Sequence, residues 1–313
     1  MNIKVDVTIF DGTKPPPPIS ENAEERENIF FDRQKNLKVM LYILAGYKPF
    51  LYEDVFMRLK KFVPPFCEVC VVSSGLFDEK LFNIAKENDW SYLSTAQNNI
   101  PLAMNLVINL YDKAEFIFKM DEDIFVTQNC FKKLLETFDY VQTAERYNVG
   151  FVAPLIPING YGHVRILEKL GLDAYYEKNF EKIIYGAQYH RMIEKSPEVA
   201  KFFWSEGNII PSIDLMNAAF QIQKMEFRPC PVKFSIGFIL FHKNLWKEMD
   251  GWAIPSTGSG GGIDEVQICS FCVKNSLGMI ISENVVVGHL SFQQQNDAMK
   301  EYYLTHREKF RCP

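Results

Sequence analysis

The sequence predicts an α/β fold, with a mostly parallel central sheet and helices on both faces. Three observations carry that expectation. Continuous apolar runs such as LKVMLYILA, CEVCVVSS and VGFVAPLIPI read as strands buried on both sides. Segments with apolar residues every three or four positions stand between them and read as helices. One run, FIFKM, stops abruptly at three carboxylates, Asp121, Glu122 and Asp123, which places charge at the carboxyl end of a strand. In open α/β sheets that edge is where ligands bind.

The elements follow in order. LKVMLYILA (37–45) is a strand, YEDVFMRLKKF an amphipathic helix, CEVCVVSS a strand, FDEKLFNIAKEND a helix and WSYLST a short strand. PLAMNLVINLYDK reads as a helix, AEFIFKM as a strand, NCFKKLLETFDYVQTAE as a helix and VGFVAPLIPI as a further strand. From residue 159 to 231 the rhythm breaks into Tyr-, Lys- and Glu-rich text, which reads as an inserted region, since so long an interruption is usually functional. Regular text returns with KFSIGFILFHKNLWKEMDGW, a strand and a helix. The loop STGSGGG leads into a helix at IDEVQICSFCVKN, and GMIISENVVVGHLSF supplies two strand-like segments. Residues 1–36, with Pro15 to Pro18 and the charged stretch NAEERENIFFDRQK, read as a leader.

With 313 residues, 47% of them hydrophobic and 14% aromatic, the chain has enough apolar surface for one large domain carrying an insertion. A net charge of -5 excludes a nucleic acid or anionic membrane held by bulk electrostatics, so any bound phosphate needs a local device. No apolar run approaches the roughly 18 residues of a membrane span, and the start lacks the regions of a signal peptide, so a cytoplasmic protein is expected. Seven cysteines, an odd and unpatterned set, point to reduced thiols. The Cys67/Cys70 pair lies in a strand, where positions three apart face opposite sides, and Cys269/Cys272 lies in a helix. Both are expected to be buried thiols and not zinc ligands.

A solvated turn would carry Gly, Asn or Pro, and none stands within the acidic triplet, so something positive is expected there. Two carboxylates one residue apart on a turn can reach one hard divalent cation, which keeps positions for waters and phosphate oxygens. A second acidic pair, Asp264-Glu265, opens the helix after STGSGGG, where the dipole holds a carboxylate ionised; capping of that helix by Asp264 is the alternative role. His289 follows an apolar strand and is either a metal ligand or a structural hydrogen-bonder. His163, His190, His242 and His306 read as surface or packing residues. Asn99 either caps the helix after it or, with Asn98 and Asn105, offers neutral polar contacts. The loop STGSGGG is a flexible lid or a linker.

In this order, the features resemble the nucleotide-sugar glycosyltransferases with the A-type fold, especially their large inverting family. The resemblance covers most of 37–155 and again 232–292, through CVVSSG, NNIPLAMNLVI, MDEDIFV and IGFILFHKNLWKEMDGW before IDEVQICSF. It implies an enzyme that moves a sugar from a nucleotide-diphosphate sugar to a hydroxyl on a glycan or other glycoconjugate, with Mn2+ or Mg2+ on the diphosphate and inversion at the anomeric carbon. Asp121, Asp123 and His289 are then the expected metal ligands, with Glu122 facing nucleotide or solvent, and Asp264 or Glu265 the base. The family's usual Glu-Asp order is reversed here. Relatives end the second strand with an Asp that bonds the nucleobase, where this chain has Ser73-Ser74-Gly75; Ser73, Ser74, Asn99 and Asn105 are the expected nucleotide contacts, with Asp121 and Glu122. The resemblance divides the chain into a nucleotide-sugar-binding half (37–158), an acceptor region (159–231) in which aromatics such as Tyr185 and Trp204 meet the acceptor from the surface, and a catalytic half with its tail (232–313). A nucleotidyltransferase on a similar fold is the alternative, though AGYKPFLYED after the first strand lacks the Gly-rich basic loop it would favour. A binding module on a decayed transferase scaffold would be expected to lose an acidic motif, and both are present.

Overall fold

The computed structural model describes residues 6–11, 26–144, 147–186, 191–233 and 235–313. The polyproline run and His190 lie outside the described residues. Along the chain stand β1 (Val7–Phe10), β2 (Asn28–Phe31), β3 (Val39–Leu44), α1 (Tyr52–Phe62), β4 (Cys67–Ser73), α2 (Glu79–Glu87), β5 (Ser91–Ser94), α3 (Ile100–Leu110), β6 (Phe116–Asp121) and β7 (Ile124–Phe125). They are followed by α4 (Cys130–Thr143), β8 (Val149–Leu155), α5 (Gly162–Leu170), α6 (Asp173–Asn179), α7 (Met192–Lys195), α8 (Pro197–Phe203), α9 (Ile213–Gln221) and β9 (Phe227–Pro229). The last elements are β10 (Phe238–His242), α10 (Lys243–Glu248), α11 (Ile263–Lys274), β11 (Gly278–Val286), β12 (Gly288–His289) and α12 (Asn296–Thr305). The alternation of strand and helix is the α/β class expected from the sequence.

The chain forms two compact units. The first comprises Met1–Tyr52, Pro64–Glu122 and Leu240–Phe271; the second comprises Glu53–Val63, Asp123–Ile239 and Cys272–Pro313. In the first, the strands run β1-β2-β5-β4-β3-β6-β10. The β1-β2, β5-β4, β4-β3 and β3-β6 pairs are parallel, and the β2-β5 pair is antiparallel. All of β4 is buried, as a parallel strand covered on both faces should be. Helix starts follow local chemistry: the Asp78 carboxylate accepts from Leu81 N at 3.0 Å to open α2, and Asn99 Oδ1 accepts from Leu102 N at 3.0 Å to open α3.

Two strands fall inside the stretch expected to be a leader. β2 is wholly buried and pairs with β5, with Phe30 opposite Leu93, and β1 pairs with β2. The apolar segment NIFF is short and flanked by charge, which hid it among NAEERE and DRQK. All seven cysteines are thiols, six of them buried, as expected.

In the second unit, β8 and β11 pair in parallel, β9 joins β11 antiparallel, and β7 and β12 form a small antiparallel ladder. The inserted region folds as α5 to α9 with β9. Arg58, on α1 and fully buried, makes a bidentate pair with Asp214 at 2.9 and 2.7 Å. It also donates to the carbonyls of Val126, Phe310 and Arg311, so its fork of donors is spent inside the fold.

His163, on α5, is buried beside Tyr176 and Phe203, with Nδ1 2.7 Å from the Asn159 carbonyl. Burial pushes its pKa down to about 4, against the raising effect of that carbonyl. Because the folded value lies below the ordinary value of 6.5, the unfolded chain takes up a proton that the folded chain refuses as pH falls from 6.5 towards 4. Stability is therefore whole above that window and is lost on acidification through it, by as much as about 3 kcal/mol. Denaturant titrations at pH 7 and 4.5 should show a smaller acid loss for His163→Asn than for the wild type, whereas equal losses would remove His163 from the account.

Candidate functional site

In the first unit the site begins with β6. Its register places Asp121 beside Leu44 at the carboxyl end of β3, and Lys119 beside Tyr42 two residues earlier. Lys119 is the exception in an otherwise apolar strand interior. Its side chain is 2% exposed, and Nζ stands 2.7 Å from Asp121 Oδ1 and 3.4 Å from Asp264 Oδ2. Burial works against the ammonium, but the two carboxylates outweigh it and raise its pKa above the ordinary lysine value. Tyr42 is fully buried, and its phenol pKa is raised by burial and then by Asp264 and Asp121. The positive charge that the acidic strand end demanded is thus supplied, in part, by the strand itself.

The expected helix-capping role for Asp264 does not hold. Helix α11 begins at Ile263, after Gly262 at φ +79°, so Asp264 sits within the first turn and sends its carboxylate to Lys119. Glu265 follows it, half-buried. The glycine loop ahead of them is tied down at its centre: Ile100 N donates to Ser259 O at 2.8 Å. Gly260 lies at φ +75°, so close to Pro101 that a Cβ would come within 2.7 Å of its ring. That contact requires glycine and docks the loop on the start of α3.

Glu122 points neither to solvent nor into an open site. It is buried, and its carboxylate accepts from Gly46 N at 2.9 Å and from Tyr47 N at 3.1 and 3.2 Å, clasping the loop after β3. Tyr47 is thereby fixed at its backbone, and its hydroxyl donates to Ser74 O at 2.5 Å while the residue stays 54% exposed. A half-exposed ring anchored at both ends thus stands at the carboxyl edge of the parallel strands. The sequence carried one signal for it, an aromatic, Tyr47, directly after the glycine that follows the first strand.

The expected nucleotide contacts are largely inward. Ser73 Oγ accepts from the Tyr92 hydroxyl at 3.1 Å, Ser74 Oγ donates to Gln97 O at 3.5 Å, and Asn99 is the cap of α3. Asn105 is buried with its amide spent on one segment: Oδ1 accepts from Trp246 Nε1 at 2.9 Å and Trp252 N at 2.8 Å, and Nδ2 donates to Trp252 O at 2.8 Å. It fixes the turn after α10 and so positions the chain entering the glycine loop.

In the second unit, Asp123 and His289 come together. The β7-β12 ladder sets His289 opposite Ile124, and Leu290 N donates to Asp123 O at 3.0 Å. His289 Nδ1 lies 2.8 Å from Ile158 O. A carbonyl only accepts, so Nδ1 carries the hydrogen and Nε2 is turned toward Asp123 Oδ2 at 3.5 Å. A neutral imidazole in this tautomer faces a carboxylate acceptor with its lone pair, an arrangement satisfied by a cation shared between them or by a second proton on the ring. Among the described residues, no group of three or more His, Cys, Asp or Glu side chains is placed to hold a metal ion. Any ion here would draw its remaining ligands from water and phosphate.

Trp204 is not a surface aromatic. It is 3% exposed; its Nε1 donates to His289 O at 3.1 Å, and its ring packs on Phe125 and Phe310. A Cβ at Gly288 would meet that ring at 2.5 Å, so Trp204 and Gly288 together set the height of β12. Tyr185 is 49% exposed, 6.0 Å from the Tyr161 ring.

No family model and no curated protein matches the chain. Among solved structures, GalNAc-T7 with UDP, GalNAc and Mn2+ aligns at 13% identity and a TM-score of 0.48, covering 83% of this chain and 44% of that one. The mannosyltransferase PcManGT from Pyrobaculum calidifontis, in complex with GDP-Man and Mn2+, aligns at 12% and 0.47, covering 89% and 64%. Glucosyl-3-phosphoglycerate synthase from Mycobacterium tuberculosis, in complex with Mn2+, UDP and glucosyl-3-phosphoglycerate, aligns at 12% and 0.44, covering 98% and 87%. The chain spans less than two thirds of the first two of these structures. The α/β assignment stands on the strand order and registers above.

The tautomer is directly checkable. Long-range 1H–15N spectra of 15N-histidine protein at pH 8 should place the His289 hydrogen on Nδ1, and a neutral ring protonated on Nε2 would contradict the Ile158 hydrogen bond.

Proposed function

We propose that this chain is a metal-dependent glycosyltransferase that moves a sugar from a nucleoside-diphosphate sugar to a hydroxyl acceptor. The observation that carries the reading is the acidic turn at the carboxyl end of β6, to which the first turn of α11 returns with Asp264. Asp123 and His289 would hold the divalent cation, Mn2+ or Mg2+, with Asp121 two residues before Asp123 as the further carboxylate of the motif. Their donor set fits such an ion: one carboxylate oxygen and one imidazole nitrogen face each other, and the imidazole is oriented from behind by a carbonyl. When bound, the ion supplies charge to the departing diphosphate.

The chain's own residues do the rest. Tyr47 offers its ring to the nucleobase, held there by Glu122 and Ser74. Asp264, beside the Lys119 ammonium, accepts the proton of the acceptor hydroxyl, with Glu265 on the same turn as the alternative base. The hydroxyl oxygen forms its bond to the anomeric carbon as the bond to the diphosphate oxygen breaks, and this single displacement inverts the centre. Of Tyr185 and Trp204, Tyr185 is the exposed one and would meet the acceptor. Seven thiols without a disulfide support a reducing compartment such as the cytoplasm, and no helix among the described residues is long and apolar enough to cross a membrane.

Calorimetric titration with UDP and GDP, each with MnCl2 and with excess chelator, should show diphosphate binding that requires the metal. Asp123→Ala should remove that coupling while leaving the fold intact by circular dichroism. Full-affinity diphosphate binding in chelator would overturn the metal role.

A further inference from the structure

Lys119 belongs to none of the motifs read from the sequence, yet it is a charged side chain held almost wholly out of water. An ammonium removed from water survives only with opposite charge in contact. Its two partners come from places far apart in sequence, Asp121 at the end of its own strand and Asp264 on the first turn of α11. The geometry is that of a clamp, with one buried cation holding a strand-end carboxylate and a helix-start carboxylate at 2.7 and 3.4 Å. Tyr42, the register neighbour of Lys119 on β3, closes the apolar side, its hydroxyl 3.4 Å from Met104 Sδ.

We propose that Lys119 is a positioning residue that draws Asp264 to the end of β6 and, by occupying Asp121, limits how strongly that strand end attracts a divalent cation. The proposal rests on the metal-dependent reading above. A resident ammonium of this kind has two opposed consequences. It orients the carboxylate that would take the acceptor proton, and it competes for the carboxylate that would face the metal. A residue that merely filled space in the strand would do neither.

The test is Mn2+ affinity, measured by electron paramagnetic resonance of free Mn2+ with saturating UDP, together with turnover on the donor. Lys119→Met should bind Mn2+ more tightly, by roughly tenfold for the loss of one ammonium beside a ligand, while transfer falls because Asp264 is no longer drawn in. A change in opposite directions is the signature. If wild type binds Mn2+ and Lys119→Met binds it equally or more weakly, the inference is overturned and the functional reading stands. If wild type binds no Mn2+ but Lys119→Met does, the lysine blocks the strand end and the inference stands without the functional reading. If neither binds, both are overturned. Should Lys119→Met fail to fold, Lys119→Met/Asp264→Asn, which loses one charge of each sign, carries the same expectation for Mn2+.

Discussion

The contact on which the first unit depends is the Lys119 ammonium between Asp121 and Asp264. A parallel strand buried on both faces cannot hold a bare charge, so β6 carries Lys119 with Asp121 of its own strand and Asp264 of α11 beside it. The position of α11 is arranged in steps. Asn105 fixes the turn at Trp252, the glycine loop docks on the start of α3 through Ser259 and Gly260, and the helix then begins one residue ahead of Asp264. Together these contacts set where the first turn of α11 meets the lysine.

The carboxylates of the motif divide their work. Asp121 answers Lys119, Glu122 clasps the backbone of the loop after β3, and Asp123 faces an imidazole whose orientation is set by Ile158 O and whose strand is held by Trp204. Three consecutive acids thus meet a cationic side chain, backbone N–H groups and a ring nitrogen. Asp121 and Glu122 each have a compensating donor of their own, while Asp123 faces a ring nitrogen and is completed by a cation or a proton.

The strands and helices from Val39 onward were legible because buried parallel strands are continuous apolar runs and their helices are amphipathic. β2 was not legible, since its burial comes from pairing with β5 and not from any pattern of its own. At the site, sequence spacing identified Asp121, Asp123, Asp264 and His289 as chemically marked, because acids and a lone histidine at strand and helix ends are conspicuous. It could not tell that Glu122 turns to Gly46 and Tyr47, that Asn105 turns to Trp246, or that Trp204 lies inside, because those orientations depend on elements distant in sequence. Lys119 was hidden for the opposite reason. A lysine in an apolar strand reads as an edge or an irregularity until its two partners are seen.

The balance of charge at the end of β6 can be measured by unfolding. Lys119→Met leaves two carboxylates without their cation and should cost about 3–5 kcal/mol in denaturant titrations at pH 7. The triple variant Lys119→Met/Asp121→Asn/Asp264→Asn, neutral at all three positions, should recover most of that loss. A single variant as stable as wild type, or a triple variant no more stable than the single, would contradict the claim that this buried ammonium organises the acidic strand end.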